Sequence, residues 1–381
     1  QCGNVETISG NTNPNTNDGL IMDVYYNDLK DVVLEKTDDY LLLDGAKFRR
    51  FVSPDNISTL QEANYTSMSG LLYNQTLGFY ARQAQTGRIF NIQASDGKQI
   101  KEIHIAPKPS SFSPDAWTSD TTHFYIADNQ SAKIYKVTSS GVLTTFAGSG
   151  TKGYLDGAYA QARFSDMKAM AFDSKGQLYI IDGHRIRRLS NGQVTTVSGS
   201  TEGFAMGSLS AAKFSSPSGI LVDADDNVLI ADTGNVRLRR LNITSPTVQP
   251  VACVLTLAGS LRGSQSGLRN GPQQQALFRR PRNVTLDKNG HLYVTDTANA
   301  QVRKLDISRG LVTTFAGSRF GIRDGDVSIA LFRAPIDGVF DSKGNYFLVD
   351  IEGHAVRKID TKGNVTTFSK GTTKQTFAFP T

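Results

Sequence analysis

Five histidines are the residues that could make this chain a metal-dependent enzyme: His104, His123, His184, His291 and His354. A zinc site needs about three imidazoles that converge on one ion at about 2.0–2.1 Å. His184 and His354 share one position of a repeated pattern, in a turn after a short apolar run, whereas His123 and His291 come just before such a run. These positions lie at opposite ends of a strand of about five residues, roughly 16 Å apart. One zinc ion therefore cannot bind both pairs.

Six aspartates recur at one position of the same pattern and suggest a second kind of chemistry: Asp44, Asp128, Asp182, Asp232, Asp296 and Asp350. A catalytic carboxylate pair has to be singular and differently tuned, whereas repetition indicates architecture. We therefore predict that these hallmark aspartates accept backbone N–H bonds in the turn that follows. The chain has no H-E-x-x-H, G-x-S-x-G, P-loop or C-x-x-C motif.

No catalytic residue, metal ligand or bound cofactor is predicted from these patterns. Two possibilities stay open at this stage. A Ser/His/Asp trio could assemble from distant repeats, and a structural calcium or zinc ion could sit in a central channel.

Basic side chains form the third group: Arg237, Arg239, Arg240, Arg279, Arg280, Arg282, Arg303, Lys304, Arg357 and Lys358. Most fall on the third strand of a repeat, with counterparts at Arg49, Arg50, Arg187 and Arg188, which predicts a solvated charged face. Arg279, Arg280 and Arg282 cluster outside that position, without interleaved aromatic residues for base stacking. A formal net charge of +6 favours anionic polymers. Polyanion or RNA binding is therefore the third function considered, and nucleic acid is not the favoured partner.

Seven N-x-S/T sequons are present, at Asn56, Asn64, Asn74, Asn129, Asn242, Asn283 and Asn364. Three of them crowd into one poorly repeating stretch. The sequence begins with Gln1 rather than Met, so either a leader was removed or the chain is partial, and we expect the former. Together these features favour a secreted or cell-surface glycoprotein. Cys2 and Cys253 allow one disulfide, within or between chains, and two free thiols remain the alternative.

The strands that position these residues recur along the chain as copies of one sequence repeat. Residues 164–189 align without a gap on residues 26–51, and the pattern returns at 222–241, 286–305 and 340–359. Degenerate copies at 78–92 and 123–137 bring the number to seven. Each copy reads as four strands. The first ends in Asp, the second is apolar at successive positions and buried on both faces, the third alternates between a dry and a wet side, and the fourth resembles VTTF.

Such sheets cannot bury their faces alone, so they pack side by side into a ring. Apolar residues make up 39% of the 381 residues and charged residues 20%, a balance that supports a folded core. Apolar runs are far shorter than the roughly 20 residues that a membrane span needs. We predict an all-β propeller of four-stranded blades. Its ring has either seven blades, or six with one extra unit, around Gln83, that lacks the hallmark aspartate.

The motifs resemble those of the NHL-repeat propellers. They are clearest at residues 212–217 (AKFSSP), 232–239 (DTGNVRLR) and 312–317 (VTTFAG), and the resemblance is specific over residues 146–368. It implies the propeller fold, usually with six blades. It also implies that an enzyme must be considered, because similar propellers include a zinc-dependent peptide-amidating lyase and calcium-dependent lactonases, and others bind RNA.

The chain divides into an N-terminal strand and linker (1–19), the propeller (20–371) and a tail (372–381). Residues 5–10 (VETISG) read as a fourth strand, yet the last blade carries its own at 365–371 (VTTFSKG). One strand is therefore surplus. It stays unpaired, it displaces VTTF and frees the tail, or it pairs with another copy of the chain, which yields filaments if the contact does not close.

The function predicted from the sequence is a non-enzymatic extracellular structural or adhesive module that assembles with itself by strand exchange. The residues predicted to mediate assembly are Val5, Glu6, Thr7, Ile8, Ser9, Phe377 and Phe379. The alternative is an extracellular propeller enzyme of the metal-dependent lyase or lactonase kind.

Overall fold

The structure is a computed structural model. Between residues 19 and 103 it describes the strands alone, and beyond them it describes residues 112, 114–243, 253–260, 265–341 and 343–370. Within these residues the chain forms seven antiparallel sheets of four or five strands. The helical segments of this part of the chain are two 3-10 turns, Thr233–Asn235 and Thr297–Asn299. No helix there is long and apolar enough to cross a bilayer.

The first three sheets contain one clear copy of the repeat, in sheet 1, and the two degenerate copies, in sheets 2 and 3. Sheet 1 consists of β1 (Gly19–Leu20), β2 (Leu29–Leu34), β3 (Tyr40–Asp44), β4 (Lys47–Ser53) and β5 (Asn56–Glu62). Sheet 2 consists of β6 (Met68–Asn74), β7 (Gly78–Gln83), β8 (Ile89–Gln93) and β9 (Gln99–Ile103). Sheet 3 consists of β10 (Pro114–Ser119), β11 (His123–Asp128), β12 (Lys133–Thr138) and β13 (Leu143–Ala147).

The next two sheets follow the same plan with regular repeats. Sheet 4 consists of β14 (Gly157–Ala158), β15 (Met167–Phe172), β16 (Leu178–Asp182), β17 (Arg185–Ser190) and β18 (Gln193–Ser198). Sheet 5 consists of β19 (Gly207–Ser208), β20 (Gly219–Val222), β21 (Val228–Asp232), β22 (Arg237–Asn242) and β23 (Cys253–Ala258).

The last two sheets complete the described part of the chain. Sheet 6 consists of β24 (Gly271–Pro272), β25 (Pro281–Leu286), β26 (Leu292–Asp296), β27 (Gln301–Asp306) and β28 (Leu311–Ala316). Sheet 7 consists of β29 (Gly325–Asp326), β30 (Pro335–Phe340), β31 (Tyr346–Asp350), β32 (Ala355–Ile359) and β33 (Asn364–Lys370).

In every sheet the four long strands follow each other in chain order, and we call them inner, second, third and outer. Sheets 1, 4, 5, 6 and 7 also have a two-residue cap strand, which pairs with the outer strand from the connection that precedes the sheet. In sheets 4 to 7 a glycine begins the cap strand, with φ between 114° and 139°. Side chains rarely adopt that conformation, so the Gly of each connection is needed for the chain to enter its sheet there.

The inner strands of neighbouring sheets contact each other along most of the chain, as for β10 with β15, β15 with β20, β20 with β25, and β25 with β30. They line the centre of the propeller, which we call the hub. We call the upper face the end at which inner strands begin and second strands end. There the first inner residue pairs with the hallmark aspartate, as Met167 does with Asp182 and Pro281 with Asp296.

Most of the core lies between sheets rather than within them. One cluster joins Tyr125 and Ile134 of sheet 3 to Met170 and Ile180 of sheet 4, and similar clusters join each later pair of sheets up to sheets 6 and 7. The second strands of sheets 4 to 7 are buried at all five positions. This confirms that they are buried on both faces. Full burial of such a side chain stabilises the fold by about 1.5–3 kcal/mol.

The structure confirms an all-β propeller of four-stranded antiparallel blades. The degenerate copy around Gln83 forms β7 and β8 of a sheet like the others. The number of blades in a closed ring, seven or six, stays a prediction of the repeat.

Candidate binding site at the mouth of the hub

The hallmark aspartates of sheets 4 to 7 pair with buried third-strand arginines. The pairs are Asp182–Arg187 at 2.9 Å, Asp232–Arg239 at 3.1 Å, Asp296–Arg303 at 2.9 Å and Asp350–Arg357 at 3.9 Å, and all eight side chains are 0% exposed. The prediction of one dry and one wet side for the third strand, with the arginines solvated, is therefore wrong at these positions.

Arg303 shows why a guanidinium group is stable inside this fold. Its Nη1 donates to Leu277 O at 3.0 Å, and its Nη2 donates to Arg269 O at 3.0 Å and to Asn270 Oδ1 at 2.6 Å. A guanidinium carries five N–H donors in a fixed fork, so one side chain ties the aspartate to the connection that precedes its sheet. Arg187 and Arg357 make the same kind of contacts.

The other basic side chains of the third strands are divided between the interior and the surface. Arg237 is also 0% exposed, because its Nε donates to Ser260 O and its guanidinium lies 3.9 Å from the centre of the Phe204 ring. Arg188, Arg240, Lys304 and Lys358 are half-buried. Arg49 and Arg50 lie on β4, whose side chains are outside the described residues.

The aspartates accept backbone N–H groups, but mostly not from the turn that follows. Asp182 Oδ1 accepts from Ser165 and Asp166 at 2.8 and 2.9 Å, and Asp296 Oδ1 accepts from Arg279 at 2.6 Å. These donors precede the inner strand, so the expected donor segment was wrong for these sheets. Asp128 has the expected geometry, with Gln130 N and Ser131 N as donors. The side chain of Asp44 lies outside the described residues.

Burial controls the protonation of these carboxyl groups. It raises the pKa of Asp296 to about 6, although hydrogen bonds from Arg279 N, Asn299 and Arg303 act in the opposite direction. Burial also raises the pKa of Asp182, Asp232 and Asp350. The shared cause and the shared contacts assign these groups to the architecture of the sheets.

The described histidines lie at separate places, and three of them have identified hydrogen-bond partners. His291 Nδ1 lies 2.8 Å from Asp287 Oδ2, and His123 Nδ1 lies 2.7 Å from Thr122 Oγ1. His184 Nδ1 accepts the Ser216 N–H at 3.1 Å, and His354 occupies a turn on the upper face. Within the described residues no three His, Cys, Asp or Glu side chains group as metal ligands would. His104 lies outside them.

Several sequon asparagines are used in the fold. Asn129 Nδ2 donates to Met167 O at 3.0 Å while its Oδ1 accepts from Met167 N at 2.7 Å, which ties sheet 3 to sheet 4. Asn283 Nδ2 donates to Asp337 Oδ1, between the inner strands of sheets 6 and 7. Asn364 Nδ2 donates to Asp360 Oδ2 at 3.1 Å. Asn242 is half-buried.

The remaining predicted sites fall on residues that the structure describes only by strand or not at all. Asn56 and Asn74 lie on β5 and β6, and Cys253 begins β23. Those outside the described residues are Asn64, Cys2, Val5, Glu6, Thr7, Ile8, Ser9, Phe377 and Phe379. Glycosylation, disulfide formation and strand exchange at these residues stay predictions.

The fourth strand of the last repeat keeps its own place. In β33, residues 365–367 pair with β32, and Asn364 and Val365 pair with the cap strand β29. Of the three outcomes for the surplus strand, displacement of VTTF by residues 5–10 is therefore contradicted.

A cluster of exposed arginines lies where the chain enters the inner strand of sheet 6. Arg279 and Arg280 precede Pro281, and Arg282 is the second residue of β25. All three are exposed, and none forms an ion pair within the described residues, unlike the buried arginines of the third strands. Partial desolvation lowers the pKa of Arg282, and the charge of Arg280 lowers it further.

The repeat places a basic residue at this position in sheets 1, 4 and 6. The residues equivalent to Arg282 are Lys30, Ser69, Asp115, Lys168, Ser218 and Ile336. Lys168 is paired with Asp166 at 3.1 Å, and Ser218 Oγ donates to Arg282 O at 3.0 Å. Arg282 thus places at the mouth of the hub a positive charge that no acidic side chain in the described residues neutralises.

Backbone strain is found at the same place. Ser216 and Arg280 both stand immediately before a proline, and both adopt left-handed φ angles, 44° and 53°. A residue before proline favours extended conformations, and only glycine adopts positive φ without cost. Strained residues of this kind cluster at functional sites. Arg280 therefore combines strain, exposure and charge beside Arg282.

The guanidinium groups of Arg280 and Arg282 carry the charge and the N–H donors that suit an anionic group. Each offers several N–H donors, and such charge-assisted bonds to carboxylate, sulfate or phosphate are stronger than neutral ones. The sequence pointed to this cluster by its position outside the third strands. The left-handed backbone of Arg280 and the hub position of Arg282 had no signal in the sequence.

Comparisons with known proteins agree with this architecture. The profile of the NHL repeat matches residues 278–305, which span the arginine cluster and the Asp296–Arg303 pair. The chain therefore contains an NHL repeat. It is 24% identical over 269 residues to Protein SUPPRESSOR OF QUENCHING 1, chloroplastic, of Arabidopsis thaliana, a match that covers 64% of this chain and 24% of that protein. It is 26% identical over 311 residues to NHL repeat-containing protein 2 of Homo sapiens, covering 72% of this chain and 42% of that protein.

This NHL-repeat chain spans less than half the length of those relatives. Among solved structures it is similar to a protein of unknown function from Bacteroides thetaiotaomicron, with a TM-score of 0.55 and 22% identity over 93% of this chain and 74% of that one. It is also similar to virginiamycin B lyase from Staphylococcus aureus, with a TM-score of 0.56 and 13% identity over 85% and 92% of the chains. At these identities the likeness shows the fold alone.

Proposed function

We propose that this NHL-repeat propeller is a non-catalytic adhesive module that binds an anionic partner at the mouth of its hub. The single observation that carries the proposal is the exposed pair Arg280 and Arg282, which has no acidic partner in the described residues. Two positive charges held close together repel each other, and an anionic group placed between them removes that repulsion.

The chemistry around the pair favours an acidic polysaccharide over RNA. Sequence-tolerant binding of single-stranded RNA uses aromatic side chains on which bases stack. The cluster at residues 279–282 has no aromatic residue, so it offers charge and hydrogen bonds without a stacking platform. Sulfate and carboxylate groups need only those two contributions.

The proposal is tested by binding of dextran sulfate to the full chain at moderate ionic strength, with neutral dextran as the reference. The double variant Arg280→Gly/Arg282→Gln removes the pair, and Lys152→Ala/Arg309→Ala removes two exposed charges elsewhere. We expect Kd to rise by about tenfold or more for the first variant and to change little for the second. Equal losses of affinity in both variants would show that binding depends only on the net charge of the chain. Tighter binding of poly-uridylate than of dextran sulfate would favour RNA.

Self-assembly is a second candidate for the same module. The last sheet has its outer strand in place, so a segment with the pattern of residues 5–10 finds that position occupied. Strand donation to another copy would use the exposed edge of a sheet. Deleting residues 1–12 should abolish oligomers or filaments of the full chain, and unchanged particles would reject strand exchange.

Secretion and N-glycosylation belong to the same proposal. Among the sequons, Asn56, Asn64 and Asn74 stand closest together in the chain. Mass spectrometry of protein from its native source should find glycans in this stretch. Recovery of the protein from the cytosol without glycans would contradict an extracellular role.

A further inference from the structure

A second site lies on the opposite face of the propeller. A cavity of about 550 Å³ opens between sheets 6 and 7, at the end that carries the hairpin turns. Its floor is formed by aromatic rings, with the Tyr293 centroid 4.8 Å from that of Phe315 and 4.6 Å from that of Phe340. Its volume falls in the range of small-molecule sites.

The interface between sheets 3 and 4 has the same aromatic floor, but there a fourth ring, that of Tyr159, occupies the space above the floor. There Tyr125 packs against Phe146 and Phe172, and Tyr159 covers Phe146 with ring centroids 4.9 Å apart. The residue of sheet 7 equivalent to Tyr159 is Val327.

Backbone hydrogen bonds establish this equivalence. Tyr159 N donates to Gly192 O at 2.9 Å, and Val327 N donates to Gly363 O at 2.8 Å. The cavity is therefore present where a small side chain replaces a large ring above the same floor.

The rim of the cavity is polar and balanced in charge. Three hairpin turns contribute to it, and each supplies one carboxylate and one ammonium group: Asp287 and Lys288, Asp341 and Lys343, Asp360 and Lys362. Asn289 and Thr361 add neutral hydrogen-bonding groups. A balanced rim gives no net attraction to an ion, but it offers acceptors and donors around an apolar floor whose rings meet edge to face.

We infer that this cavity binds a neutral sugar ring. A pyranose has a flat face of C–H groups that can lie on aromatic rings, and its edge carries hydroxyl groups that both donate and accept hydrogen bonds. The half-buried rings of Phe315 and Phe340, which pack on buried Tyr293, offer apolar surface to that face, and the Asp and Lys side chains of the rim offer hydrogen bonds to the edge. The site is separate from the arginine pair on the upper face and does not depend on anion binding there.

The cavity can be closed with a residue that the fold already accepts. Val327→Tyr copies the arrangement at Tyr159, and Leu209→Tyr places the same residue at the equivalent position between sheets 4 and 5. Saturation-transfer NMR and calorimetry with maltose, cellobiose, lactose and chitobiose would be run on the full chain and on both variants. We expect saturable binding of at least one disaccharide, its loss in Val327→Tyr, and its retention in Leu209→Tyr.

A rim variant keeps the test independent of the stability of Val327→Tyr. Lys362 is exposed, so Lys362→Met should leave the fold intact and raise Kd by about threefold to tenfold. The preferred disaccharide would also be offered linked to albumin, because tighter binding of the linked form would identify a protein-borne glycan as the source.

Three results would overturn the inference. They are the absence of saturable binding by all four disaccharides at about 10 mM, binding that survives in Val327→Tyr, and binding of indole at this site without any sugar.

Discussion

Arg303 donates a hydrogen bond from Nη1 to Asp296 Oδ2 over 2.9 Å, and neither side chain has any surface exposed to solvent. The same hydrogen bond recurs in sheets 4 and 5, and in sheet 7 the two groups form an ion pair at 3.9 Å, so buried ion pairs hold the connections to these sheets. Breaking one partner of such a pair leaves an uncompensated buried charge, which costs about 3–5 kcal/mol.

Arg303→Met should therefore lower the free energy of unfolding by about 3–5 kcal/mol, since Asp296 loses its cationic partner. The matched control is Lys304→Met at the adjacent half-buried position, for which about 1 kcal/mol or less is expected. Urea unfolding followed by circular dichroism measures both. Equal effects for the two variants would contradict the role assigned to the buried pair.

The pH dependence of stability tests the protonation of Asp296. Burial raises its pKa from the ordinary value of 3.8 to about 6, so the folded chain binds this proton more tightly than the unfolded chain does. The group therefore contributes stability that is complete below about pH 4 and is lost as the pH rises through 6.

The difference in the free energy of unfolding between the wild-type chain and Asp296→Asn should accordingly shrink as the pH rises from about 4 to 7. Urea unfolding of both chains at four pH values in this range gives the difference directly. If the stability of the wild-type chain relative to Asp296→Asn instead grew with pH, the charge of Arg303 would favour the ionised carboxyl group more than burial disfavours it.

The close approach of two inner strands makes Gly219 sensitive to substitution. A Cβ at this position would lie 2.6 Å from Arg282 O, which is too close for a carbon atom. Gly219→Ala should lower stability by about 1–3 kcal/mol and should weaken dextran sulfate binding, because it displaces the strand that carries Arg282.

Gly290→Ala provides the comparison for this substitution. Its Cβ meets no atom within 4 Å, although its φ of 78° makes alanine unfavourable there. It should lose stability without a change in dextran sulfate affinity. If both variants lost the same affinity for dextran sulfate, the contact between Gly219 and Arg282 would not be what supports the anion site.

Strain at Arg280 predicts opposite effects on stability and binding. Glycine adopts a φ of 53° without the cost that a side chain imposes, so Arg280→Gly should raise the free energy of unfolding by about 1 kcal/mol. The same change should weaken dextran sulfate binding. Thermal unfolding measures the stability and calorimetry measures the affinity for dextran sulfate, on one preparation. If Arg280→Gly were less stable than the wild type, the backbone of Arg280 would not be strained.

The repeat made the strands predictable, because short, mainly apolar runs that end in Asp, such as β16 and β26, can be buried on both faces only in a stack of sheets. The buried arginines were missed because Arg-x-Arg alternation resembles a solvated strand. Their signal was a second periodicity: Arg239, Arg303 and Arg357 each follow a hallmark aspartate by seven residues.

Other features depend on the fold itself. The cavity beside Val327 becomes visible only when its position is matched to that of Tyr159 across two interfaces. The left-handed backbone of Arg280 follows from how its connection enters sheet 6, and a proline in the next position predicts the opposite.

The most direct test of the anion site is chemical footprinting of arginines with phenylglyoxal, read by mass spectrometry with and without dextran sulfate. We predict protection of Arg280 and Arg282 on binding, while Arg309, whose side chain is 81% exposed, reacts equally in both samples. Full reactivity of Arg282 in the bound chain, or equal protection of Arg309, would contradict a binding site at the mouth of the hub.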